Sequence, residues 1–219
     1  MSAIRYKFVT WLYSRLRVLR ISLFPRKLLS PSEKYFKSGG NDLLVDLNLT
    51  KNSFCIDFGG YKGVWTNEIA LKFNSNIWVY EPVTQFADYL KEKFQGNPKI
   101  TVHSYGISRE NSDMYLSVDG ARSGQHIDKE HKILATFKDS SELLRFSIID
   151  VVKINIEGGE YELIPELLEK NLWPRIQTVL IQFHQTANQD IDNCKNILSL
   201  THKPTWVYEL VWERWDRTH

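Results

Sequence analysis

The segment from Ser53 to Gly63, SFCIDFGGYKG, constrains the fold of this chain more than any other. It begins with the apolar run Phe54-Cys55-Ile56, which is typical of a buried strand, and helical periodicity follows its last glycine. Open α/β sheets bind ligands at the carboxyl ends of strands, so this turn is the first candidate binding site. Asp57 lies directly before the turn and disfavours a phosphate ligand, because like charges repel. The glycines that would let a ligand approach the backbone are Gly59, Gly60 and Gly63.

A second candidate residue follows the next apolar run, Ile77-Trp78-Val79-Tyr80. That run predicts a second buried strand, and it ends at Glu81. In doubly wound sheets, an acidic residue about 20 positions after the first glycine binds ribose hydroxyls. Glu81 lies 22 positions after Gly59, so the two segments together favour a nucleoside ligand. The alternative is that Glu81 is a solvated residue at a strand end.

A third apolar run, from Ile148 to Ile156, predicts a central parallel strand because it is rich in β-branched residues. It leads into the sequence Glu157-Gly158-Gly159-Glu160 and a further helix. Lys153, Asn155 and Glu157 alternate along its end, and such polar groups are unfavourable to bury without a partner. We therefore expect each of the three to contact another residue or a ligand.

The rest of the sequence predicts alternating strands and helices. This pattern indicates an α/β fold with a doubly wound, mostly parallel sheet. Between the second and third motifs, residues 119–126 are expected to form an irregular polar loop that includes Arg122, and such a loop can cover a substrate. Residues 205–212 are expected to form one final strand.

The composition fits a globular protein with one α/β domain and an appendage, because 42% of its 219 residues are hydrophobic and 25% are charged. Cys55 and Cys194 form no disulfide or zinc motif, so we predict a reducing, cytoplasmic compartment and no metal site. The net charge of +2 at pH 7 is uneven, since residues 1–30 contain seven basic side chains and no acidic one. The other residues contain 21 basic and 26 acidic side chains, which argues against a nucleic acid partner.

The basic N-terminal segment, residues 1–40, is expected to be distinct from the main domain, residues 41–219. Within it, residues 6–24 mix large apolar side chains with arginines at close spacing. The arginines interrupt the run too often for a spanning helix, which needs about 20 mainly apolar residues, and for a signal peptide. Two interpretations remain open. Residues 1–30 form an interfacial helix on the inner face of a membrane, or they pack on the domain or a partner.

Three motifs, in their order along the chain, resemble the FkbM family of S-adenosylmethionine-dependent methyltransferases. The motifs are Asp57-Phe58-Gly59-Gly60-Tyr61-Lys62-Gly63, Tyr80-Glu81-Pro82 and Val152-Lys153-Ile154-Asn155-Ile156-Glu157-Gly158-Gly159-Glu160. The resemblance implies the class I methyltransferase (Rossmann-like) fold and S-adenosylmethionine as cofactor. It also implies which residues contact that cofactor: Asp57, Gly59, Gly60, Gly63 and Glu81, with Ser104, Tyr105 and Gly106 bordering the adenine.

Two residues depart from the usual pattern of this family, Asn155 where aspartate is common and Gln182 where glutamate is common. Amides neither accept a proton usefully nor bind hard cations as carboxylates do, which weakens a metal or carboxylate-base mechanism. His184 is then the candidate general base, since histidine titrates near neutral pH, and Glu157 is a second candidate or its orienting partner. A structural role for His184 is the alternative. Residues expected to bind the substrate are Lys153, Asn155 and Arg122.

The resemblance implies O-methylation of a hydroxyl on a sugar, a glycan or another small hydroxylated metabolite. The reaction would be an in-line transfer of the sulfonium methyl with base assistance. The alternative is a catalytically impaired relative that binds the cofactor or a partner, which the amides at positions 155 and 182 motivate. The sequence predicts no particular oligomeric state.

Overall fold

The computed structural model describes residues 29–119, 122–124, 132–186 and 190–218. The strands are β1 Phe54–Phe58, β2 Asn76–Tyr80, β3 Ile100–His103, β4 Gly106–Ser108, β5 Ser112–Asp119, β6 Arg122–Gly124, β7 Lys132–Asp139, β8 Ile149–Ile154, β9 Ile176–Ile181, β10 His202–Tyr208 and β11 Trp212–Arg217. The α-helices are α1 Pro31–Lys37, α2 Val64–Phe73, α3 Thr84–Lys93, α4 Glu160–Glu169 and α5 Ile191–Ser199. Short 3-10 helices cover Gly40–Val45, Ser140–Arg145 and Trp173–Arg175.

The main sheet has the strand order β10-β11-β9-β8-β1-β2-β3. Strand β1 pairs in parallel with β2 on one side and with β8 on the other. Strands β2 and β3 therefore extend the sheet on one side of β1, and β8, β9, β11 and β10 extend it on the other side. β11 is antiparallel to both of its neighbours. The predicted doubly wound, mostly parallel sheet is confirmed.

Alternate residues of the central strands pack into two hydrophobic clusters. In β1, Cys55 belongs to one cluster and Ile56 to the other. The same alternation assigns Val151 and Val152 of β8 to opposite clusters. Because successive side chains of a strand point to opposite faces, both faces of the central strands are buried. This explains why these strands are almost entirely apolar in sequence.

A second, smaller sheet is inserted between β3 and β8, with the strand order β4-β7-β5-β6. Leu116 of β5 and Ala135 of β7 are buried and pack against Val83, which precedes α3. The predicted irregular loop at 119–126 is wrong for residues 122–124, because β6 pairs with β5. The two strands are neighbours along the chain, but the sequence Arg122-Ser123-Gly124 has no apolar alternation that would indicate a strand.

The prediction of one final strand at 205–212 is also wrong, because the chain forms the antiparallel hairpin β10–β11. Leu210 in the hairpin turn has a positive φ of 56°. Bulky residues seldom adopt this conformation, and turns that need it usually contain glycine or asparagine. The sequence therefore contained no recognisable turn at this point.

Helix α1 packs on the main domain. Tyr35 is buried, and its ring centroid lies 5.4 Å from that of Tyr208 in β10. Leu44 of the following 3-10 helix is also buried. The expected boundary at residue 40 therefore falls within packed structure, whereas the segment 6–24 lies outside the described residues. No helix within the described ranges is both long and apolar enough to span a membrane.

Candidate active site

Two cavities lie at the carboxyl ends of the central strands. The first, of about 370 Å³, lies between the ends of β1, β2 and β8 and the inserted sheet. The second, of about 250 Å³, lies between the turn after β1, the start of α2 and the 3-10 helix at Gly40–Val45. Gly59, Tyr61 and Asn155 line both cavities, so the two spaces adjoin. Doubly wound sheets bind ligands at this point, where the strand order reverses.

The turn after β1 needs its glycines for close packing. A Cβ on Gly59, whose φ is 82°, would lie 2.0 Å from the backbone oxygen of Asn155 and would push β1 and β8 apart. A Cβ on Gly60 or Gly63 would lie 2.9 or 2.6 Å from the side chain of Leu90. Gly59 and Gly60 line the cavities, but Gly63 lines neither. Gly63 is needed for packing against α3, and its expected contact with the cofactor stays a prediction.

Asp57 and Lys153 form a buried ion pair between neighbouring strands. Their Cα atoms are partners in the β1–β8 register, and Nζ of Lys153 lies 2.7 Å from Oδ1 of Asp57. Lys153 also donates to the carbonyl of Gly59 at 2.7 Å, and the Thr66 hydroxyl donates to Oδ2 of Asp57 at 2.6 Å. We expected Asp57 to contact the cofactor and Lys153 the substrate. The two side chains neutralise each other, because an unpaired buried charge is strongly unfavourable. Both residues also line the second cavity, so their expected ligand contacts stay predictions.

Glu81 is buried at the end of β2 and lines the first cavity. Its Oε1 accepts the backbone N–H of Val83 and its Oε2 accepts that of Tyr61, both at 2.9 Å. Burial raises the pKa of Glu81, and these two hydrogen bonds oppose the rise. Each carboxylate oxygen retains a second lone pair. The position and chemistry of Glu81 therefore suit a pair of adjacent hydroxyls, as on a ribose.

The residues after β3 divide between two environments. Gly106 and the following Ile107 line the first cavity, as expected for residues that border an adenine. Tyr105 does not line it, because its hydroxyl donates to Oε2 of Glu142 at 2.9 Å. Ser104 lines neither cavity, and its hydroxyl is buried without a hydrogen-bond partner in the described structure. The expected base contacts of Tyr105 and Ser104 stay predictions, and Ile107 is a further residue of this cavity wall.

Three polar side chains around the second cavity are unpaired. The side-chain oxygen of Asn155, where the cavities adjoin, is buried and has no hydrogen-bond partner among the described residues. Gln182 after β9 and Glu68 of α2 line the second cavity, and neither side chain is hydrogen-bonded within the described ranges. Buried or half-buried polar groups without partners are unfavourable in the absence of a ligand. Their arrangement indicates a binding site for a polar molecule.

His184, which follows β9, lies between two carboxylates. Its Nδ1 is 3.1 Å from Oε1 of Glu160, and its Nε2 is 3.4 Å from Oε1 of Glu157. Glu160 is fully buried in the first turn of α4 and also accepts the backbone N–H groups of His184 and Gly158. Burial by itself would lower the pKa of His184. The hydrogen bonds to Glu157 and Glu160 outweigh this effect and raise the pKa to about 9.

The raised pKa does not favour His184 as a general base, and that expected role stays a prediction. At neutral pH the ring is protonated, so it has no free lone pair for a substrate proton. His184 also lines neither cavity, whereas Glu157 faces the first. His184 thus contacts Glu157 at the cavity wall without lining the cavity itself.

This cluster predicts that stability depends on pH. The folded-state pKa of about 9 exceeds the unfolded value of about 6.5. The protonated ring therefore stabilises the fold fully below about pH 6.5, and this stabilisation is lost as the pH rises through about 9. We expect His184→Gln to lower the free energy of unfolding by on the order of 2–3 kcal/mol at about pH 6 and by much less at about pH 10. Urea unfolding of both proteins measures this, and equal losses at the two pH values would contradict the ionic role.

Several residues of the site had no role assigned from the sequence. Glu160 and Tyr61 lie within the quoted motifs, and an acidic side chain in the first turn of a helix, such as Glu160, interacts favourably with the helix dipole. Glu68 lines the second cavity, but nothing in its local sequence distinguishes it from a surface residue. Arg122 lies in β6, and its side chain is outside the described structure. Its expected contact with a substrate stays a prediction.

No protein-family model matches this chain, and no curated protein matches it. Among solved structures, methyltransferase FkbM from Methylobacillus flagellatus KT is similar, with a TM-score of 0.52 and 15% identity, covering 86% of this chain and 48% of that one. This chain thus spans about half the length of that protein. Precorrin-6y C5,15-methyltransferase from Geobacter metallireducens GS-15 has a TM-score of 0.49 at 13% identity, covering 89% and 93% of the two chains. An rRNA methylase from Streptococcus thermophilus also has a TM-score of 0.49, at 11% identity, covering 82% and 94%.

The similarity to the FkbM structure, at 15% identity, concerns the fold. The strand order of the main sheet and the cavities at the ends of β1, β2 and β8 are those of a doubly wound sheet. The chain therefore has the doubly wound class I methyltransferase fold, as its resemblance to the FkbM family implied.

Proposed function

We propose that this chain is an S-adenosylmethionine-dependent O-methyltransferase. Its acceptor is a hydroxyl of a sugar, a glycan or another small hydroxylated metabolite. The observation that supports this most is the adjoining pair of cavities, which meet at Gly59 beside the buried, unpaired oxygen of Asn155. A carboxylate suited to a ribose lines one cavity, and unpaired polar side chains line the other. A cofactor with a nucleoside part and an amino acid part fits this arrangement, together with an acceptor.

The first cavity suits the nucleoside part of the cofactor. Glu81 would bind the ribose hydroxyls, and the apolar side chains of Phe86, Ile107 and Met114 would border the base. The amino acid part would lie along Gly59, which lines both cavities. The oxygen of Asn155 can accept a hydrogen bond from its ammonium group. When bound, the cofactor supplies an electrophilic methyl group on a sulfonium.

The second cavity suits the acceptor, because the nucleoside occupies the first. Gln182 can donate to one hydroxyl and Glu68 can accept from another, while Trp212 offers an aromatic surface to a sugar ring. The chain has to align the acceptor oxygen with the methyl group and take up the hydroxyl proton. Glu68 is the carboxylate of this cavity that lacks a partner in the described structure, since Asp57 is paired with Lys153. We assign the proton-accepting role to Glu68.

Methyl transfer from labelled S-adenosylmethionine to a panel of hydroxylated sugars and metabolites tests this assignment. We expect Glu68→Gln to lower kcat by about 100-fold or more, in the range of general-base effects, with little change in the KM for the cofactor. Glu157→Gln is the matched control, because Glu157 lines the first cavity. We expect it to change kcat less than about threefold. The reverse ranking would move the acceptor to the first cavity and restore Glu157 as the base.

A second candidate function is binding without catalysis, favoured by the amides of Asn155 and Gln182 at positions where carboxylates are common in the family. Micromolar binding of the cofactor with no transfer to any acceptor would support it. We do not expect a nucleic acid acceptor, because the chain beyond residue 30 is more acidic than basic. Filter binding of duplex DNA and structured RNA checks this. Free, buried Cys55 and Cys194 support the proposed cytoplasmic location.

A further inference from the structure

Tyr61 lies where the two cavities adjoin. Among the aromatic residues of the described ranges, Tyr61 alone lines both cavities. Its ring centroid lies 4.8 Å from that of Phe86, which lines the first cavity. On the other side, Nζ of Lys62, which lines the second cavity, lies 5.3 Å from the same centroid. The ring of Tyr61 therefore stands between the two cavities.

The backbone of Tyr61 adopts a conformation that tyrosine seldom occupies. Its φ is 46°, in the left-handed region where glycine and asparagine are usual. A glycine at this position would form the same turn without strain. Bulky residues in this region are destabilising, and they occur most often at ligand sites. The strain at Tyr61 therefore suggests that its side chain serves a ligand.

Packing and hydrogen bonding do not explain a tyrosine at this position. Tyr61 belongs to none of the three hydrophobic clusters of the described structure. Its hydroxyl makes no hydrogen bond to any residue within the described ranges. Its backbone N–H donates to Glu81, and any residue other than proline can make that bond. The part of Tyr61 without a structural role is thus the aromatic side chain.

The ring of Tyr61 already lies beside a cation. The distance of 5.3 Å from Nζ of Lys62 is within the range of about 6 Å for a cation–π interaction. The side chain of Lys62 is exposed, so it can move away into water. The ring is then open to another cation between the cavities. The sulfonium of S-adenosylmethionine is such a cation, since it joins the nucleoside part to the amino acid part.

We propose that the ring of Tyr61 binds the sulfonium of the cofactor and so distinguishes the cofactor from its demethylated product. This inference rests on the proposed function, which puts the nucleoside part in the first cavity and the acceptor in the second. In the transfer, the methyl carbon bonds to the acceptor oxygen as its bond to sulfur breaks. The sulfur keeps the electron pair of that bond, and the hydroxyl proton passes to Glu68. The sulfur becomes neutral, so its attraction to the ring is lost when the product has to leave.

Calorimetric titration with S-adenosylmethionine and with S-adenosylhomocysteine tests this role without turnover. The measured quantity is the preference, defined as the Kd of S-adenosylhomocysteine divided by the Kd of S-adenosylmethionine. We expect Tyr61→Leu to lower the preference by about fivefold or more, the effect of a partly desolvated cation–π contact. Leucine keeps an apolar side chain and the same backbone strain, so the change isolates the aromatic ring. Tyr61→Phe keeps the ring, and its preference should stay within about twofold of that of the unchanged protein.

Phe137→Leu is the matched control, because Phe137 is an aromatic residue that lines the first cavity but not the second. It should change both affinities by the same factor and leave the preference within about twofold. Melting temperatures without ligand confirm that each variant is folded. The inference is overturned if Tyr61→Leu retains the preference, or if Tyr61→Phe loses it as leucine does. If neither ligand binds the unchanged protein, the cofactor site of the proposed function is overturned as well, so the two failures are distinguishable.

Discussion

Replacing Lys153 with methionine is expected to lower the free energy of unfolding by about 3–5 kcal/mol, because the change removes one partner of a buried ion pair. Asp57 would remain 1% exposed with a negative charge and only the Thr66 hydroxyl as a side-chain donor. The carbonyl of Gly59 would also lose a donor. Urea unfolding followed by tryptophan fluorescence measures the loss.

Two further variants separate the buried charge from general effects of the substitution. The double variant Asp57→Asn/Lys153→Met removes both charges, and it should recover a large part of the lost stability. Lys91→Met breaks an exposed pair with Asp88 on the surface of α3, so it should change the free energy of unfolding by less than about 0.5 kcal/mol. A Lys153→Met protein as stable as the unchanged chain would contradict the stabilising role of this ion pair.

Replacing Glu81 with glutamine is expected to weaken binding of S-adenosylhomocysteine by about 100-fold, equivalent to about 2.7 kcal/mol. The amide removes the charge that strengthens hydrogen bonds to hydroxyls. Its NH₂ group also faces a backbone N–H, either of Tyr61 or of Val83, because both carboxylate oxygens are used. Calorimetric titration measures the affinity.

Glu92→Gln is the control for this measurement. Glu92 is exposed on α3, the helix after Glu81, and Glu92 lines neither cavity. It should bind the ligand as the unchanged protein does. Melting curves of both variants distinguish a lost contact from a lost fold. If Glu81→Gln is folded and binds within about threefold of the unchanged protein, the carboxylate does not contact the ribose.

The sequence was sufficient to predict the class of fold. Buried parallel strands require long apolar runs and the turn after β1 requires glycines, and both are recognisable in the sequence. The sequence was not sufficient to predict the ion pair between Asp57 and Lys153. While the order of the strands is unknown, nothing indicates that these two residues are neighbours. Their pairing follows only from the β1–β8 register. Similarly, the pKa of His184 depends on Glu160, which lies in another element and approaches only in the folded chain.

The second cavity shows a different limit of sequence analysis. Part of its lining comes from residues that the sequence motifs indicated: Asp57, Gly59, Gly60, Lys153, Asn155 and Gln182. Local geometry or strand-end position restricts the residue type at those positions. Other lining residues, such as Asn41 and Glu68, are far apart in sequence and belong to no common motif. A cavity wall needs only polar side chains at a suitable distance from the ligand, so these residues escaped prediction.

The pairing of β1 with β8 has a consequence for how the chain folds during synthesis. The partners Asp57 and Lys153 are 96 residues apart, and non-local parallel pairing forms slowly because a long loop must close first. A nascent chain that has not yet emerged beyond residue 154 exposes one edge of β1, including an unpaired Asp57. Such an edge can associate with other chains. Productive folding on the ribosome thus depends on rapid arrival of the second half of the sheet.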